Sequence, residues 1–288
     1  MNHRELVSAL TPLHGAGEAR AIVRMVMEEC FGLSQTDLLL GKDTDLSATD
    51  RAEMEKIALR LLKGEPVQYV LGNAYFCGHR FRVTPDVLIP RPETEELVEW
   101  ACSLLVPGAT GKVLDLCTGS GCIAISIALA FPGAHVMGVD VSAPALSVAS
   151  DNALSLGADN VTFLQRDILS EVTTSSPYGE EHEGGFSMLV SNPPYVRASE
   201  AAEMHSTVLE HEPALALFVS DDNPLIFYHS IAKVGLVSLC PGAPVIVELN
   251  TALAAETHAL FESYGYTDIQ IRNDQFGRPR MLRALMPI

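Results

Sequence analysis

The sequence lacks any apolar run long enough to cross a membrane. Its 288 residues are 48% hydrophobic, but no window approaches the roughly twenty uninterrupted apolar residues that a membrane-spanning helix requires. The N-terminal stretch MNHRELVSAL also lacks the apolar core of a secretory signal. We therefore expect a soluble, cytoplasmic protein with no membrane partner.

Basic residues are too few and too scattered to form a surface for duplex DNA. The formal net charge is −17. Residues 1–90 carry 10 Lys or Arg and 12 Asp or Glu, whereas residues 91–288 carry 9 and 24. Proteins that bind nucleic acid usually neutralise its phosphates with a stripe of basic side chains. The acidic second part of the chain therefore argues against DNA as a partner.

Cysteine is also sparse, with six residues at scattered positions. The closest pair, Cys117 and Cys122, flanks a glycine-containing loop and does not have the spacing of a metal-ligand pair. Neither a zinc site nor a disulfide framework is indicated, which fits a reducing compartment. We expect no bound metal.

The first part of the chain predicts a small helical domain over residues 1–72. Helices are expected over Arg20–Cys30, which has apolar residues at helical spacing, and from about Ala48 to Leu62. Residues 73–90 predict a linker, because Tyr75–Val83 alternates apolar and polar residues around a glycine, as a short hairpin does. From this pattern alone, the helical domain fits a docking module and a structural cap equally well.

From residue 91 to residue 288, short apolar runs alternate with helical stretches, which predicts an α/β domain with a doubly wound, mostly parallel sheet. The predicted strands of the parallel part are Val113–Cys117, His135–Asp140, Val161–Gln165, Phe186–Ser191 and Pro244–Leu249. Two further runs, Tyr266–Arg272 and Met281–Leu285, predict an antiparallel hairpin and bring the sheet to seven strands. Residues 170–185 are rich in Ser, Thr, Gly and Glu and predict a surface loop.

The segment Asn192-Pro193-Pro194-Tyr195 directly follows the fourth predicted strand and carries the clearest chemical signal. Proline has no backbone N–H, so this strand end offers acceptors without competing donors. The side-chain oxygen of Asn192 and the carbonyl of Pro193 can each accept one N–H of an NH2 group, which leaves the nitrogen lone pair aimed at an electrophile. Tyr195 would stack on the planar group. A simple turn is the alternative, but four such residues after a buried strand favour a substrate clamp.

The first strand runs into a loop that fits two kinds of cofactor. The pattern Gly119-x-Gly121-x-x-Ala124 satisfies the loose dinucleotide fingerprint, with Asp140 where a ribose-binding acid belongs, so a dehydrogenase is a rival interpretation. Asp115 favours S-adenosylmethionine, because a carboxylate there would repel a pyrophosphate and attract the sulfonium and ammonium groups. The amide clamp points the same way, since hydride transfer does not need one.

Two acidic residues follow the ends of consecutive strands. We expect Asp140 to accept hydrogen bonds from the ribose hydroxyls, and Asp167 to recognise the adenine while Ile168 covers its face. Either aspartate alone could be a helix N-cap. Because both lie at the same edge of the predicted sheet, a ligand is the better interpretation.

Five segments together resemble the release-factor glutamine methyltransferases of the HemK/PrmC type, and the resemblance spans nearly the whole chain. The segments are Gly64–Tyr69, Ile89–Glu95, Asp115–Gly121, Asn192–Tyr195 and Glu212–Leu217. Asn-Pro-Pro-Tyr also occurs in DNA adenine and cytosine amino-methyltransferases, whereas Pro-Arg-Pro-Glu-Thr-Glu and Glu-Pro-x-x-Ala-Leu are more particular.

This resemblance implies a Rossmann-like methyltransferase domain and a helical domain that docks a protein substrate. The implied reaction methylates the side-chain amide nitrogen of the glutamine in the Gly-Gly-Gln motif of peptide chain release factors. The implied cofactor is S-adenosyl-L-methionine, and the product is S-adenosyl-L-homocysteine. We expect the enzyme to be a monomer.

The resemblance also assigns roles to individual residues. The catalytic residues are Asn192, Pro193 and Tyr195, and these bind the substrate together with Pro194. Arg91 and Glu93 are expected at the border of the pocket from their own position, because they precede the predicted helix Glu95–Leu105. The implied cofactor-binding residues are Cys117, Thr118, Gly119, Ser120, Gly121, Asp140, Asp167, Ile168 and Asn192, and the charge argument above adds Asp115. Two departures stand out. Cys117 lies where many members have glycine and should fit if its φ is negative, and Leu249-Asn250-Thr251 replaces a stretch with glycine and glutamine.

Two other functions remain open. A nucleic-acid amino-methyltransferase would use the same clamp, but the acidic second part of the chain and the lack of an extra target-recognition segment oppose it. A non-catalytic adaptor could bind a release factor through the helical domain, but the intact clamp and cofactor motifs argue against lost activity.

Overall fold

The computed structural model describes residues 2–106, 108, 110–170 and 185–288. These residues form two compact units. The first comprises the chain up to Asn73 together with Met204–His211, and the second comprises Ala74–Glu203 and Glu212–Ile288. The domain limits 1–72, 73–90 and 91–288 stay predictions, and they did not include Met204–His211 with the helical part. The surface loop expected over residues 170–185 lies, except for its two end residues, outside the described residues.

The first unit is helical. Its helices are α1 (His3–Phe31), α2 (Gln35–Leu39), α3 (Ala48–Leu62), α4 (Val67–Leu71) and α8 (Ser206–His211). The side chains of Asn2, Ser34 and Ser47 cap α1, α2 and α3, each as part of a capping box. The predicted helix at Ala48 is confirmed, and the helix predicted from Arg20 is the second part of α1, which kinks at Gly15. The first part of α1 was not predicted from the sequence, because Pro12 and Gly15 are poor helix formers.

The second unit contains eleven strands and five helices within its described residues. They are β1 (Asn73–Phe76, which begins at the last residue of the first unit), β2 (His79–Arg82), α5 (Pro92–Leu104), β3 (Lys112–Leu116), α6 (Cys122–Ala130), β4 (His135–Asp140), α7 (Ala143–Leu156), β5 (Val161–Gln165), β6 (Met188–Ser191), β7 (Val196–Arg197), β8 (Phe218–Val219), α9 (Ile226–Ser238), β9 (Pro244–Glu248), α10 (Ala254–Ser263), β10 (Thr267–Asn273) and β11 (Pro279–Leu285). Within the described residues, no helix combines the length and the apolar character needed to span a membrane.

Seven of these strands form the central sheet, in the order β10-β11-β9-β6-β3-β4-β5. The pairs among β3, β4, β5, β6 and β9 are parallel, whereas β11 pairs antiparallel with both β9 and β10. This confirms the doubly wound, mostly parallel sheet and its terminal antiparallel hairpin. The strand order reverses at β3, and ligands of such sheets bind beside this switch point at the carboxyl ends of the strands.

Helix α6 is packed tightly against the sheet. Its sequence, CIAISIALA, is apolar almost throughout, as expected for a helix buried on all sides. A Cβ atom at Gly121, which has a φ of +78°, would come within 2.9 Å of Ile125 and 3.1 Å of Ala149. Glycine at this position therefore allows α6 to approach α7 and the sheet.

Candidate active site

A cavity of about 240 Å³ lies at the carboxyl ends of the central strands. Ten of the fifteen residues that the sequence assigned to the site line it: Arg91, Cys117, Thr118, Gly119, Ser120, Asp140, Asp167, Ile168, Asn192 and Pro194. The other five are not in its lining: Glu93, Asp115, Gly121, Pro193 and Tyr195. The fold thus gathers residues from four strand ends and from the start of α5.

Asp140, at the end of β4, is held by backbone groups. Its Oδ2 accepts a hydrogen bond from Gly119 N at 2.9 Å, and its Oδ1 accepts one from Ser142 N at 2.9 Å. Each carboxylate oxygen keeps a lone pair for a further donor. Burial raises the pKa of Asp140, while these backbone N–H groups act in the opposite direction. The carboxylate is thereby oriented at the cavity wall by the chain itself.

The loop after β3 has room for a ligand beside Asp140. A Cβ atom at Gly119 would meet no other atom within 4 Å, so the wall is open there. Asp167 follows β5, and the adjacent Ile168 offers an apolar surface at the same cavity. Two carboxylates and an apolar side chain at neighbouring strand ends fit the ribose and adenine of an adenosyl cofactor.

Asp115 is fully buried beneath this loop. Its Oδ2 accepts hydrogen bonds from Thr118 Oγ1 at 2.5 Å and Ala124 N at 3.2 Å. Its Oδ1 has no hydrogen-bond partner among the described residues. Burial is the main reason that the pKa of Asp115 rises to about 7. Asp115 ties the loop to the first turn of α6, and its contact with the cofactor stays a prediction that the cavity lining does not support.

Cys117 does not meet the condition stated from the sequence, because its φ is +60° rather than negative. This left-handed conformation favours glycine, and a residue with a Cβ pays about 1–2 kcal/mol to adopt it. Burial raises the pKa of the Cys117 thiol well above its ordinary value, so the thiol stays protonated. The loop therefore accommodates the non-glycine residue with backbone strain.

Asn192 follows β6, and its side chain belongs to a series of hydrogen-bonded side chains. Its Nδ2 donates to Thr94 Oγ1 at 3.1 Å, and that hydroxyl donates to Glu248 Oε2 at 2.8 Å. Tyr195 donates its hydroxyl to the other oxygen, Glu248 Oε1, at 2.7 Å. Ser191 of β6 pairs with Val247 of β9, so the next residues of the two strands emerge side by side. The stacking role of Tyr195 stays a prediction, since its ring does not line the cavity.

Arg91 is fixed by an ion pair with the buried Glu212. The second carboxylate oxygen of Glu212 accepts a hydrogen bond from Ile89 N at 3.3 Å. Because Pro92 follows it, Arg91 takes an extended conformation. The two segments that most specifically carried the family resemblance, around Arg91 and around Glu212, therefore meet at the cavity.

Three residues of this site were not predicted from the sequence: Thr94, Glu248 and Asn250. Glu248 is the single acidic residue in the apolar strand predicted over Pro244–Leu249. Because burying an unpaired carboxylate costs free energy, this position was the sequence signal for a specific role. Asn250 lies in the stretch that departs from the family pattern. Its Nδ2 donates to the carbonyl oxygen of Tyr195 at 3.1 Å and to Glu200 Oε2 at 2.9 Å. Asn250 in this stretch therefore contacts the clamp segment directly.

Comparison with known proteins identifies the family. The sequence-family model of the PrmC N-terminal domain matches residues 6–72, and that of a methyltransferase domain matches residues 108–212. The release factor glutamine methyltransferase of Bacteroides thetaiotaomicron is 41% identical over 279 residues, which cover 96% of each chain. The chain belongs to the release factor glutamine methyltransferase family.

Other relatives agree with this membership. The release factor glutamine methyltransferase of Flavobacterium psychrophilum is 38% identical over 287 residues, which cover 98% of each chain. A methyltransferase from Pyrococcus furiosus, 16% identical, superposes with a TM-score of 0.51 over 72% of this chain and 89% of its own, and shows the shared fold. Membership confirms an S-adenosylmethionine-dependent methyltransferase, and it does not favour the nucleic-acid enzyme or the adaptor. The roles of individual site residues stay predictions.

Proposed function

We propose that this protein methylates the side-chain amide nitrogen of the glutamine in the Gly-Gly-Gln motif of peptide chain release factors. The observation that carries the proposal is the 41% identity to a release factor glutamine methyltransferase over 96% of both chains. Identity over that length includes the helical N-terminal part as well as the catalytic domain. We further propose that the helical part docks the release factor.

The chemistry of an amide nitrogen explains why a clamp is needed. Its lone pair is delocalised into the carbonyl group, so the nitrogen is a poor nucleophile. In the proposed complex, Asn192 Oδ1 and the carbonyl oxygen of Pro193 each accept one N–H of the glutamine amide. The two acceptors orient the nitrogen and favour the form in which its lone pair is free to attack.

The cofactor side of the cavity has a donor set that fits an adenosyl group. Asp140 accepts from the ribose hydroxyls, Asp167 accepts from the adenine amino group, and Ile168 covers the ring. When bound, S-adenosylmethionine supplies a methyl group on a sulfonium and departs as the thioether S-adenosylhomocysteine. The residues around Gly119 would hold the cofactor in the same cavity that Asn192 lines.

Positioning performs most of the catalysis in this scheme. Asn192 and Pro193 would hold the amide so that its nitrogen can form the new N–C bond with the methyl group that the cofactor would supply, with the cofactor sulfur as the leaving group. The nitrogen then loses one proton to Asn192, a carbonyl oxygen or water, because an alkylated amide nitrogen is strongly acidic. No strong general base is required.

The test is to incubate the full chain with methyl-labelled S-adenosylmethionine and a purified release factor, then locate the label by peptide fragmentation. We expect one methyl group on the glutamine of the Gly-Gly-Gln motif. A release factor carrying alanine in place of that glutamine is the matched control and should stay unlabelled. Label on another residue, or on added transfer RNA or DNA instead, would contradict the proposal.

A further inference from the structure

One buried carboxylate accepts hydrogen bonds that begin at both functional side chains of the clamp. Glu248 is 2% exposed and ends β9. Its Oε1 binds the Tyr195 hydroxyl at 2.7 Å, and its Oε2 binds the Thr94 hydroxyl at 2.8 Å. Thr94, also 2% exposed, receives a hydrogen bond from Asn192 Nδ2 at 3.1 Å. Three chain segments far apart in sequence therefore converge on one carboxyl group.

The Thr94 hydroxyl donates to Glu248 Oε2, and this sets the direction of the chain of hydrogen bonds. Burial raises the pKa of Glu248, while the hydrogen bonds from Tyr195 and Thr94 and the charge of Arg280 act in the opposite direction. An ionised carboxylate only accepts, so Thr94 must give it its single hydroxyl proton. The Thr94 oxygen is then an acceptor toward Asn192. Because the carbonyl and NH2 ends of an asparagine amide have nearly the same shape, packing alone does not select one. The acceptor at Thr94 selects the orientation with Nδ2 toward Thr94.

We propose that Glu248, acting through Thr94, is a positioning residue that keeps Asn192 Oδ1 facing the substrate glutamine. This inference rests on the proposed function, since it concerns the same clamp. A reversed amide would present N–H groups to the N–H groups of the glutamine, and two donors do not bind each other. Through Tyr195 the same carboxylate also fixes the other end of the clamp segment.

Neighbouring groups stabilise the buried carboxylate of Glu248. A carboxylate taken out of water is stabilised only if it is hydrogen-bonded or paired. Besides its two hydroxyl partners, Glu248 has the Arg280 guanidinium nearby, whose Nη1 lies 3.5 Å from the Tyr195 hydroxyl oxygen. Asp274, with an oxygen 3.5 Å from Arg280 Nε, holds that side chain from the other side. The position is therefore built for an acid.

The test compares Thr94→Val, which removes the hydroxyl while keeping the shape, with Thr94→Ser, which keeps the hydroxyl. In the methylation assay we expect Thr94→Val to lower kcat about 10- to 100-fold, because the amide is no longer held in its productive orientation. Thr94→Ser should restore kcat to within about threefold of the wild type, since a serine hydroxyl makes the same hydrogen bonds. The Kd for S-adenosylmethionine, measured by calorimetry, should stay the same in both.

A buried threonine outside the site supplies the control. Thr257 of α10 is fully buried and donates its hydroxyl to the carbonyl oxygen of Leu253, the residue that precedes this helix. Thr257→Val removes a buried hydroxyl in the same way, but should leave kcat unchanged. Glu248→Gln is the second variant: it retains the shape but brings an NH2 group that can donate to Thr94, and kcat should fall. We call the positioning of Asn192 by Glu248 through Thr94 the relay. Wild-type turnover in Thr94→Val, or equal losses of kcat in Thr94→Val and Thr94→Ser, would overturn it.

A measurement without turnover separates the relay from the proposed reaction. In protein labelled with 15N-asparagine, the NH2 signal of Asn192 is identified by its loss in Asn192→Ala. We expect slow hydrogen exchange of this NH2 group in the wild type and in Thr94→Ser, and fast exchange in Thr94→Val. Equal exchange in all three would refute the relay, even if the release factor is methylated. Slow exchange lost only in Thr94→Val would support it, even if the release factor is not the substrate.

Discussion

The two sides of the cavity are held in different ways. On the cofactor side, Asp140 is oriented by backbone N–H groups, which remain whatever side chains surround them. On the substrate side, Asn192 is oriented by the Thr94 side chain, 98 residues earlier in the chain, and Thr94 by Glu248, 154 residues after it. Single substitutions should therefore disturb the substrate side from a distance, whereas the cofactor side should respond only to changes in the ligand-binding side chains themselves.

Asn192→Ala should have the largest effect and should separate the two sides. Removing one of two acceptors for the reacting amide is expected to lower kcat about 100- to 1000-fold. The Kd for S-adenosylmethionine should change much less, because we propose that Asp140 and Asp167 hold the adenosine moiety. Steady-state kinetics and calorimetry check this prediction. Comparable losses in kcat and in cofactor affinity would show that the two sides are not independent.

Asp115→Asn tests whether the acid beneath the cofactor loop supports the fold rather than the ligand. The unfolded carboxyl ionises near pH 4, whereas the folded one keeps its proton to about pH 7. The contribution of Asp115 to the free energy of unfolding is therefore fully present below pH 4. It falls by up to about 1.4 kcal/mol per pH unit as the pH rises toward 7. The variant cannot ionise and should lack this decline.

Urea unfolding of both proteins between pH 4.5 and 7.5, a range set by the unfolded and folded pKa of this acid, measures the difference. We expect the wild type to lose stability relative to Asp115→Asn as the pH rises. Parallel pH profiles would mean that Asp115 is ionised in the folded protein, which would return it to the role of a charged partner for the cofactor.

Asp140→Asn should have a smaller effect, confined to the cofactor side. Asparagine keeps one acceptor oxygen but loses the charge-assisted bond to a ribose hydroxyl and one of the two bonds from Gly119 N and Ser142 N, so the Kd for S-adenosylmethionine should rise about tenfold or more. At saturating cofactor, kcat should stay within about threefold of the wild type, because in the proposed complex Asp140 contacts the ribose and no reacting atom. A large fall in kcat at saturation would mean that Asp140 also orients the methyl group.

The features that the sequence predicted are those set by local pattern. Apolar runs of four to six residues gave the parallel strands, and the acids and amide after them gave Asp140, Asp167 and Asn192, which meet because parallel strands share one edge. The fold of the terminal hairpin and the start of α3 at Ala48 followed from similar short-range signals. All of these depend on neighbours within a few residues.

The features that the sequence did not predict depend on contacts across the chain. The bond from Thr94 to Glu248 joins α5 to β9, and no local pattern connects the two. The positive φ of Cys117 is imposed by the tight turn from β3 into α6, although its side chain does not favour it. The first part of α1 was missed because Pro12 and Gly15 break the helical pattern, while packing of residues such as Leu6 and Leu10 retains the helix.

The most direct test of the clamp is a crystal structure with S-adenosylhomocysteine and a peptide containing Gly-Gly-Gln. The account predicts that the glutamine amide nitrogen lies within about 3.2 Å of both Asn192 Oδ1 and the Pro193 carbonyl oxygen. It also predicts that this nitrogen faces the sulfur of the bound product. A glutamine bound elsewhere, or an Asn192 amide with its nitrogen turned toward the substrate, would contradict it.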